Sequence, residues 1–309
     1  MVIQQRGDAV IRARAVTGTN LRTAAEPAPR SWWRETTVRL LQNKGATVSL
    51  IILGAIALVI IFAPVVAPVD PIKPNPMNTD SPPSREHLMG TDTIGRDILS
   101  RIIFGGRLTV IVGVVAIGIA VALGLPLGMI GGYYGAWTDR IISRLMDVML
   151  AFPGILLALS VVAVLGSSVV NVAIAVGISL VPGFVRLVRG SYLTTREQAY
   201  VEAARVVGVG DRRIMVRHIL PNVLAPLMVL ATVAMGWAVI IGAALSFLGL
   251  GAQAPTPEWG ADLASGREWI RTAWWMSTFP GIAITIVVIA INLVGDGLRD
   301  ALDPRLRSR

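Results

Sequence analysis

Two stretches of this chain concentrate side chains able to recognise something. The denser is Thr195–Asn222, TREQAYVEAARVVGVGDRRIMVRHILPN, a strongly charged run between two apolar spans. Arg186, Arg189, Arg196, Arg205, Arg212, Arg213 and Arg217 lie in it or just before it, with Glu202 among them. The second is His87–Arg107, HLMGTDTIGRDILSRIIFGGR, where Arg96, Asp97 and Arg101 stand close enough to pair. Asn292 and Asp296, in a late apolar stretch, could mark a pathway, but polar groups so placed more often bridge helices or meet headgroups, and that is the reading adopted.

Catalytic signatures are missing. GxxxxGK[ST] does not occur, and neither Lys44 nor Lys73 follows such glycines, so the chain is not expected to be an ATPase. There is no cysteine and no HExxH, and His87 and His218 are far apart in sequence, so no metal site is expected. Ser246, in LSFLGLG, is not a GxSxG nucleophile elbow. The reading is of a chain that is not an enzyme and binds no cofactor itself.

The elements that must position these residues are membrane spans. The 309 residues are 54% apolar with mean hydropathy +0.66, and only 15% are charged, where a soluble domain carries about 25%. The net charge of +9 is scattered among the spans. It therefore points to topology and anionic headgroups, membrane lipids being expected partners, and not to nucleic acid.

Spans are expected at Thr47–Val66, Leu108–Ile130, Met146–Leu165 (interrupted by Pro153), Val170–Val188 (Pro182-Gly183 near its end), Val223–Leu248 and Phe279–Val294, extendable to Leu298. Gly124-x3-Gly128 permits a close helix contact, though the spacing alone is weak evidence, and Pro126 permits a kink. Residues 131–145 read as a short loop with Arg140 and Arg144, and prolines from Pro68 to Pro83 forbid regular structure in the long loop 67–106. Ile94, Ile98, Ile102 and Ile103 are spaced for one face of a surface helix. Trp259, Trp269, Trp274 and Trp275 place the segment 249–278 against the outer membrane face.

Three regions follow: a polar tail 1–45, a first span with its loop 46–106, and a main transmembrane domain 107–305. Most of the tail reads as disordered, and Trp32, Trp33, Val38, Leu40 and Leu41, interleaved with Arg34 and Arg39, suit either a helix in the headgroup layer or a plain linker. With both termini inside, 21 of the 28 Lys and Arg residues fall on that side, which favours cytoplasmic termini and a cytoplasmic 195–222 loop.

Locally the loop reads as helix, turn, helix. Thr195 with Gln198, or Thr194 with Glu197, fits a capping box; Gly208 and Gly210 stop the first helix; Asp211 caps a second, which Pro221 closes. The first helix would be marginal alone, and Ala199, Ala203, Val206 and Val207 need something to pack against, so the loop reads as a docking element.

Glu202-Ala203-Ala204, three residues, Gly208, nine residues, then His218-x-Leu220-Pro221 resembles the EAA-x3-G-x9-I-x-L-P loop of bacterial ABC importer permeases. His218 occupies the isoleucine slot, and the RHILPN ending is that of the dipeptide and oligopeptide branch, the DppC/OppC type. GTD-x2-GRD-x2-SR (Gly90, Thr91, Asp92, Gly95, Arg96, Asp97, Ser100, Arg101) and Ser246–Gly260 resemble signatures of the same subunits.

The resemblance covers about residues 47–305. It implies an all-α, six-span type I importer fold (MetI-like) in the bacterial inner membrane, importing dipeptides or oligopeptides. Implied partners are a homologous sister permease, two cytoplasmic ATPases that bind ATP and Mg, and an extracytoplasmic binding protein. It further implies that Glu202 is the charged contact to the ATPase, that Ala203 and Ala204 allow close approach, and that Gly208 sets the turn. Nickel or glutathione as cargo, a scaffold, and an intramembrane enzyme are the rival readings. The last lacks a catalytic pair within the spans.

Overall fold

A computed structural model describes residues 32–302, with side chains from Thr36 onward. The tail before Trp32 and the arginines at 305, 307 and 309 lie outside the described residues. Among the described residues there is no β-strand beyond one isolated bridge, Thr91 with Asp97. The long helices are α2 (Lys44–Ile61), α3 (Ile98–Tyr134), α6 (Val169–Arg196), α8 (Leu220–Phe247) and α10 (Trp275–Leu302). A bent pair, α4 (Ala136–Leu150) and α5 (Gly154–Leu165), lies between α3 and α6. Shorter helices are α1 (Trp32–Gln42), α7 (Ala199–Val206) and α9 (Trp259–Gly266). Among the described residues five helices are long and apolar enough to cross a membrane, and six segments are if the bent pair is counted as one span.

Several boundaries differ from the sequence reading, each for a local reason. Residues 131–145 are mostly helix: Gly135 turns the chain at φ 64°, and α4 begins directly after it. The break at Pro153 is a 91° bend, and α4 and α5 each pack separately against α6. Pro153 cannot supply the N–H that would continue the helix. Pro126 and Pro182, by contrast, lie within continuous helices. The expected surface helix through Ile94 does not form, because Asp97 starts α3 by accepting from Ser100 N at 2.8 Å; Ile94 stays in the preceding loop and Ile98–Ile103 belong to the long span itself. Residues 67–97 contain no α-helix, only a 3-10 turn at Pro76–Asn78.

The core is organised around the parallel contact of α3 with α6. Ala116, Ala120, Gly124, Gly128 and Gly132 recur every fourth residue and all are buried. A Cβ on Gly124, Gly128 or Gly132 would come within 2.5 Å of Phe184 Cβ, 2.6 Å of Val188 Cβ and 2.5 Å of Tyr192 Cβ respectively. Small residues therefore let two backbones meet where lipid supplies no hydrophobic drive of its own, and the contact is longer than Gly124-x3-Gly128 alone suggests. α8 runs antiparallel to α3 and α10, with Gly242 against Val112, Gly236 against Asn292 and Gly295 against Thr232. Asn292 thus faces a neighbouring helix, as its sequence reading favoured, while Asp296 is exposed.

At one end of the bundle α1 and α2 meet the end of α10: a Cβ on Gly297 would lie 2.4 Å from Ala46 Cβ and 3.2 Å from Leu40 Cδ1. Asn43 caps α2 through Ala46 N at 3.2 Å. The 195–222 segment, between the end of α6 and the start of α8, lies at this same end. Residues 67–97 and 249–274 lie at the other, where Arg107 donates to Ile60 O and Ile61 O, both at 2.8 Å, and so closes the end of α2.

Candidate functional site

The 195–222 loop is built on a two-sided helix. In α7, Val201 (0% exposed) and Ala204 (8%) face the protein, three residues apart on one face. Glu202, Ala203, Arg205, Val206 and Val207 face away, and Val206 and Val207 are 85% and 80% exposed. α7 stops in a Schellman motif: Val209 N donates to Ala204 O at 3.0 Å, Gly208 N to Arg205 O at 2.9 Å, and Gly208 sits at φ 78°. No atom lies within 4 Å of a Cβ built on Gly208, so backbone conformation alone demands glycine there.

The start of α7 departs from the expected capping box. α6 continues through Thr194 and Thr195 to Arg196, with Thr194 Oγ1 donating back to Gly190 O at 3.1 Å, and Gln198 precedes α7 without a side-chain cap. Asp211 is the first residue of its helical turn, not the cap; Gly210 is. Nor does Pro221 close that segment. Ile214–Ile219 winds as a π-helix, and α8 runs on from Leu220 through Pro221. Pro221 lacks an N–H and its ring crowds the carbonyl four residues back. The wider turn accommodates this, with Leu220 N bonding to Met215 O. His218, which fills the family's isoleucine slot, is half-buried with Nδ1 3.3 Å from Arg213 O, and the fully buried aliphatic residue is its neighbour Ile219.

Tyrosines tie the loop to the bundle. Tyr192, fully buried in α6, donates its hydroxyl to Met215 O at 3.0 Å. Tyr133, at the end of α3, donates to Asp211 Oδ1 at 2.6 Å, with the Arg205 guanidinium 5.5 Å from its ring centroid. Arg196 Nη1 donates to Gly132 O at 3.1 Å and Tyr133 O at 3.2 Å. Asn222 donates to Tyr200 Oη at 2.7 Å, closing the base of the loop. α4 is held to α6 by Asp139 with Arg189 and by Asp147 with Arg186, the latter at 3.3 Å. Sequence reading missed Tyr133, Tyr192, Tyr200 and Asn222. A tyrosine near a span end was the available sign, but its partner lies tens of residues away.

The other end holds the residues of the GTD-x2-GRD-x2-SR run, brought together in one tight turn. Asp92 Oδ1 accepts from Ile94 N at 3.0 Å and Arg96 N at 2.8 Å, and Asp92 Oδ2 accepts from Arg96 Nε at 2.6 Å. Gly95, at φ 80°, would press a Cβ against Asn75 O. Gly90 abuts the Trp275 ring, whose Nε1 donates to Thr91 O at 3.1 Å. Thr91 also receives Ser81 N on Oγ1 at 2.9 Å. Asp97 caps α3 through Ser100 N and Oγ and meets His87 Nδ1 at 3.0 Å. The other ring nitrogen, His87 Nε2, lies 3.1 Å from Asn78 Nδ2, so the imidazole is held at both ends.

Arg101 reaches furthest. Its Nη1 donates to Pro71 O at 3.0 Å and Pro255 O at 3.2 Å, and its Nε to Asp262 Oδ1 at 2.9 Å. Asp262 Oδ2 is buried without a partner. Burial pushes the Asp262 carboxyl up to about 6 although Arg101 pulls it down. The expected pairing of Arg96, Asp97 and Arg101 with one another is not found: Arg96 takes Asp92, Asp97 takes His87, and Arg101 takes Asp262. Trp259 and Trp275 are buried, with Trp259 Nε1 donating to Ile102 O at 2.8 Å, whereas Trp269 and Trp274 remain exposed. These contacts join three segments into one rigid surface. Among the described residues no three His, Cys, Asp or Glu side chains converge as metal ligands.

A bundle of long apolar helices, with a half-exposed amphipathic loop at one end and a folded polar surface at the other, is the architecture of a membrane permease. Residues 124–308 match the family described as binding-protein-dependent transport system inner membrane component, and residues 31–83 match the N-terminal TM domain of oligopeptide transport permease C. The chain belongs to this family, as a multi-pass inner-membrane permease subunit.

It is 50% identical over 276 residues to the dipeptide transport system permease protein DppC of Alkalihalophilus pseudofirmus, covering 89% of this chain and 91% of that one. It is 44% identical to the di/tripeptide transport system permease protein DppC of Pseudomonas aeruginosa, covering 91% and 94%. It is 45% identical to the glutathione transport system permease protein GsiD of Escherichia coli O157:H7, covering 90% and 92%. A chain of the MetNI methionine ABC transporter superposes with TM-score 0.53 at 18% identity, over 66% of this chain and 96% of that one, and shares the fold.

Proposed function

We propose that this chain is a transmembrane subunit of an ATP-driven importer of dipeptides or oligopeptides, and that its 195–222 loop couples two cytoplasmic ATPases to the translocation path. The observation that carries the coupling is the two-faced α7. Its inner face is anchored in the bundle while Glu202, Ala203, Val206 and Val207 stand out at the surface. The adjacent Val206 and Val207 form a contiguous apolar patch beside charged residues on a short helix, which suits a partner surface. Ala204, turned inward, serves the close packing of the loop on its own core, so the outward contact falls to Glu202 and Ala203.

ATP and Mg belong to the ATPases. A homologous sister permease completes the pathway, and a binding protein delivers peptide to the surface formed by residues 67–97 and 249–274. Both described ends of the chain and the coupling loop face the cytoplasm in this reading, as the distribution of arginine favours. Closure of the ATPases moves the loop, and the loop moves the helices it is fixed to, switching access between the two sides. Peptide cargo follows the names of the dipeptide relatives. Glutathione, itself a small peptide, is the second reading, favoured by the GsiD relative.

The test is paired measurement of membrane abundance, ATPase co-purification and peptide uptake for Glu202→Arg and Gly208→Val. Each variant is expected at normal abundance, with ATPase recruitment weakened by roughly tenfold, the worth of a lost charge-assisted hydrogen bond, and uptake falling sharply. Wild-type transport by both would remove the loop from the coupling role.

A further inference from the structure

The loop is fastened not only to α6 and α8, the helices that flank it, but also to α3, which is distant in sequence. We propose that Tyr133 is a positioning residue that makes the end of α3 part of the moving coupling unit. The inference rests on the coupling role proposed for the 195–222 loop.

Four contacts converge on two consecutive residues of α3. The Tyr133 hydroxyl donates to the Asp211 carboxylate at 2.6 Å. The Arg205 guanidinium covers the Tyr133 ring at 5.5 Å. Arg196 Nη1 donates to the carbonyls of Gly132 and Tyr133 at 3.1 and 3.2 Å. Gly132 itself leaves no room for a Cβ against Tyr192, whose hydroxyl holds Met215 O in the π-helical segment.

The partners on the loop side lie before, within and after α7: Arg196, Arg205 and Asp211. A rotation of α7 cannot therefore leave the end of α3 behind without breaking a charge-assisted hydrogen bond and a cation–π contact together. α3 carries the small-residue ridge against α6 along Ala116–Gly132, so displacement of its end is passed to the helix contact that runs the length of the bundle. The contact area of Tyr133 is ordinary core packing; its hydroxyl is the part that selects the loop position.

The experiment uses the full transporter, with its sister permease, ATPases and binding protein, in proteoliposomes supplied with ATP and a dipeptide. Tyr133→Phe keeps the ring and removes the hydroxyl. The expected result is normal abundance and ATPase co-purification, with peptide imported per ATP hydrolysed falling roughly tenfold, the effect of one charge-assisted hydrogen bond. Asp211→Asn, whose Oδ1 can still accept but without the charge, is expected between wild type and Tyr133→Phe. Asp211→Ala should match Tyr133→Phe, and the double variant should be no worse than either alone.

The chain has no cysteine, so Ile130→Cys and Val216→Cys give a spin-label pair across the contact. Their distance should stay single through the nucleotide cycle and split in Tyr133→Phe. An unchanged import ratio and an unchanged distance in Tyr133→Phe, while Glu202→Arg and Gly208→Val abolish uptake, would overturn the positioning role alone. Normal uptake in those two loop variants would instead overturn the coupling role on which it rests.

Discussion

Arg101→Ala should be the most damaging single substitution at the end of the bundle opposite the 195–222 loop, and the reason can be worked from its contacts. Its guanidinium is the partner of Asp262 and donates to Pro71 O and Pro255 O, so it joins α3, the 67–97 loop and the segment leading to α9. Both side chains of the pair are at most 10% exposed. Removing the cation strands a buried carboxylate, which costs about 3–5 kcal/mol, while two carbonyls lose a donor. Arg101→Ala with Asp262→Ala removes the stranded charge as well and should recover part of that loss.

Acid should help too, and the sign follows from the direction of the shift. Asp262 sits at about 6 when folded against 3.8 as an ordinary carboxyl, so the folded state binds the proton more tightly. Stability from this group therefore rises as pH falls from 6 towards 3.8 and is absent above about 6. The groups facing it, Arg101, Glu258 and Arg96, set the balance, with burial the largest contribution. Without Arg101 the upward push strengthens, and the deficit of Arg101→Ala should be smaller at pH 5 than at pH 7.5. Thermal unfolding of the purified transporter in detergent, at fixed scan rate and at both pH values, measures Arg101→Ala, Asp262→Ala and the double variant. A loss in Arg101→Ala no larger than that of a surface substitution, or a double variant whose losses simply add, would refute the account of a buried, mutually dependent pair.

Other outcomes follow from the same structure. Gly128→Leu should disrupt the α3–α6 contact, since even a Cβ there would meet Val188 Cβ at 2.6 Å and Val185 O at 2.9 Å; a fall in folded protein by size-exclusion chromatography checks it, the expected cost being about 1–3 kcal/mol or more. Reporter fusions after Lys44 and Gly210 should read cytoplasmic and those after Pro76 and Gln253 extracytoplasmic; a cytoplasmic signal at either of the latter would overturn the proposed orientation. The purified chain alone should hydrolyse no ATP yet co-purify with its ATPases and sister permease when co-expressed, and robust hydrolysis by the contaminant-free chain would contradict the proposed division of labour.

The sequence alone determined the apolar spans, because twenty consecutive apolar residues have few other solutions in water or lipid, and it determined the turn at Gly208, because a left-handed residue is a local demand that glycine meets. It also determined the membership of Glu202–Ala204 and Leu220–Pro221 in one motif, since their spacing survives without knowledge of the fold. Capping at Thr195 and closure at Pro221 looked local but were not. α6 gains enough from packing on the glycine ridge to run through the threonines, and α8 tolerates Pro221 by widening to a π-turn in which Met215 O accepts from both Leu220 N and the Tyr192 hydroxyl. The seating of α4 against α6 likewise involves Asp139 meeting Arg189, 50 residues on, a pairing that the local sequence does not encode. Pairings such as Arg101 with Asp262 and Tyr133 with Asp211 span 161 and 78 residues. No periodicity encodes which distant charge a buried side chain will face; only the packing of the helices brings the two together, and desolvation then makes the pairing matter.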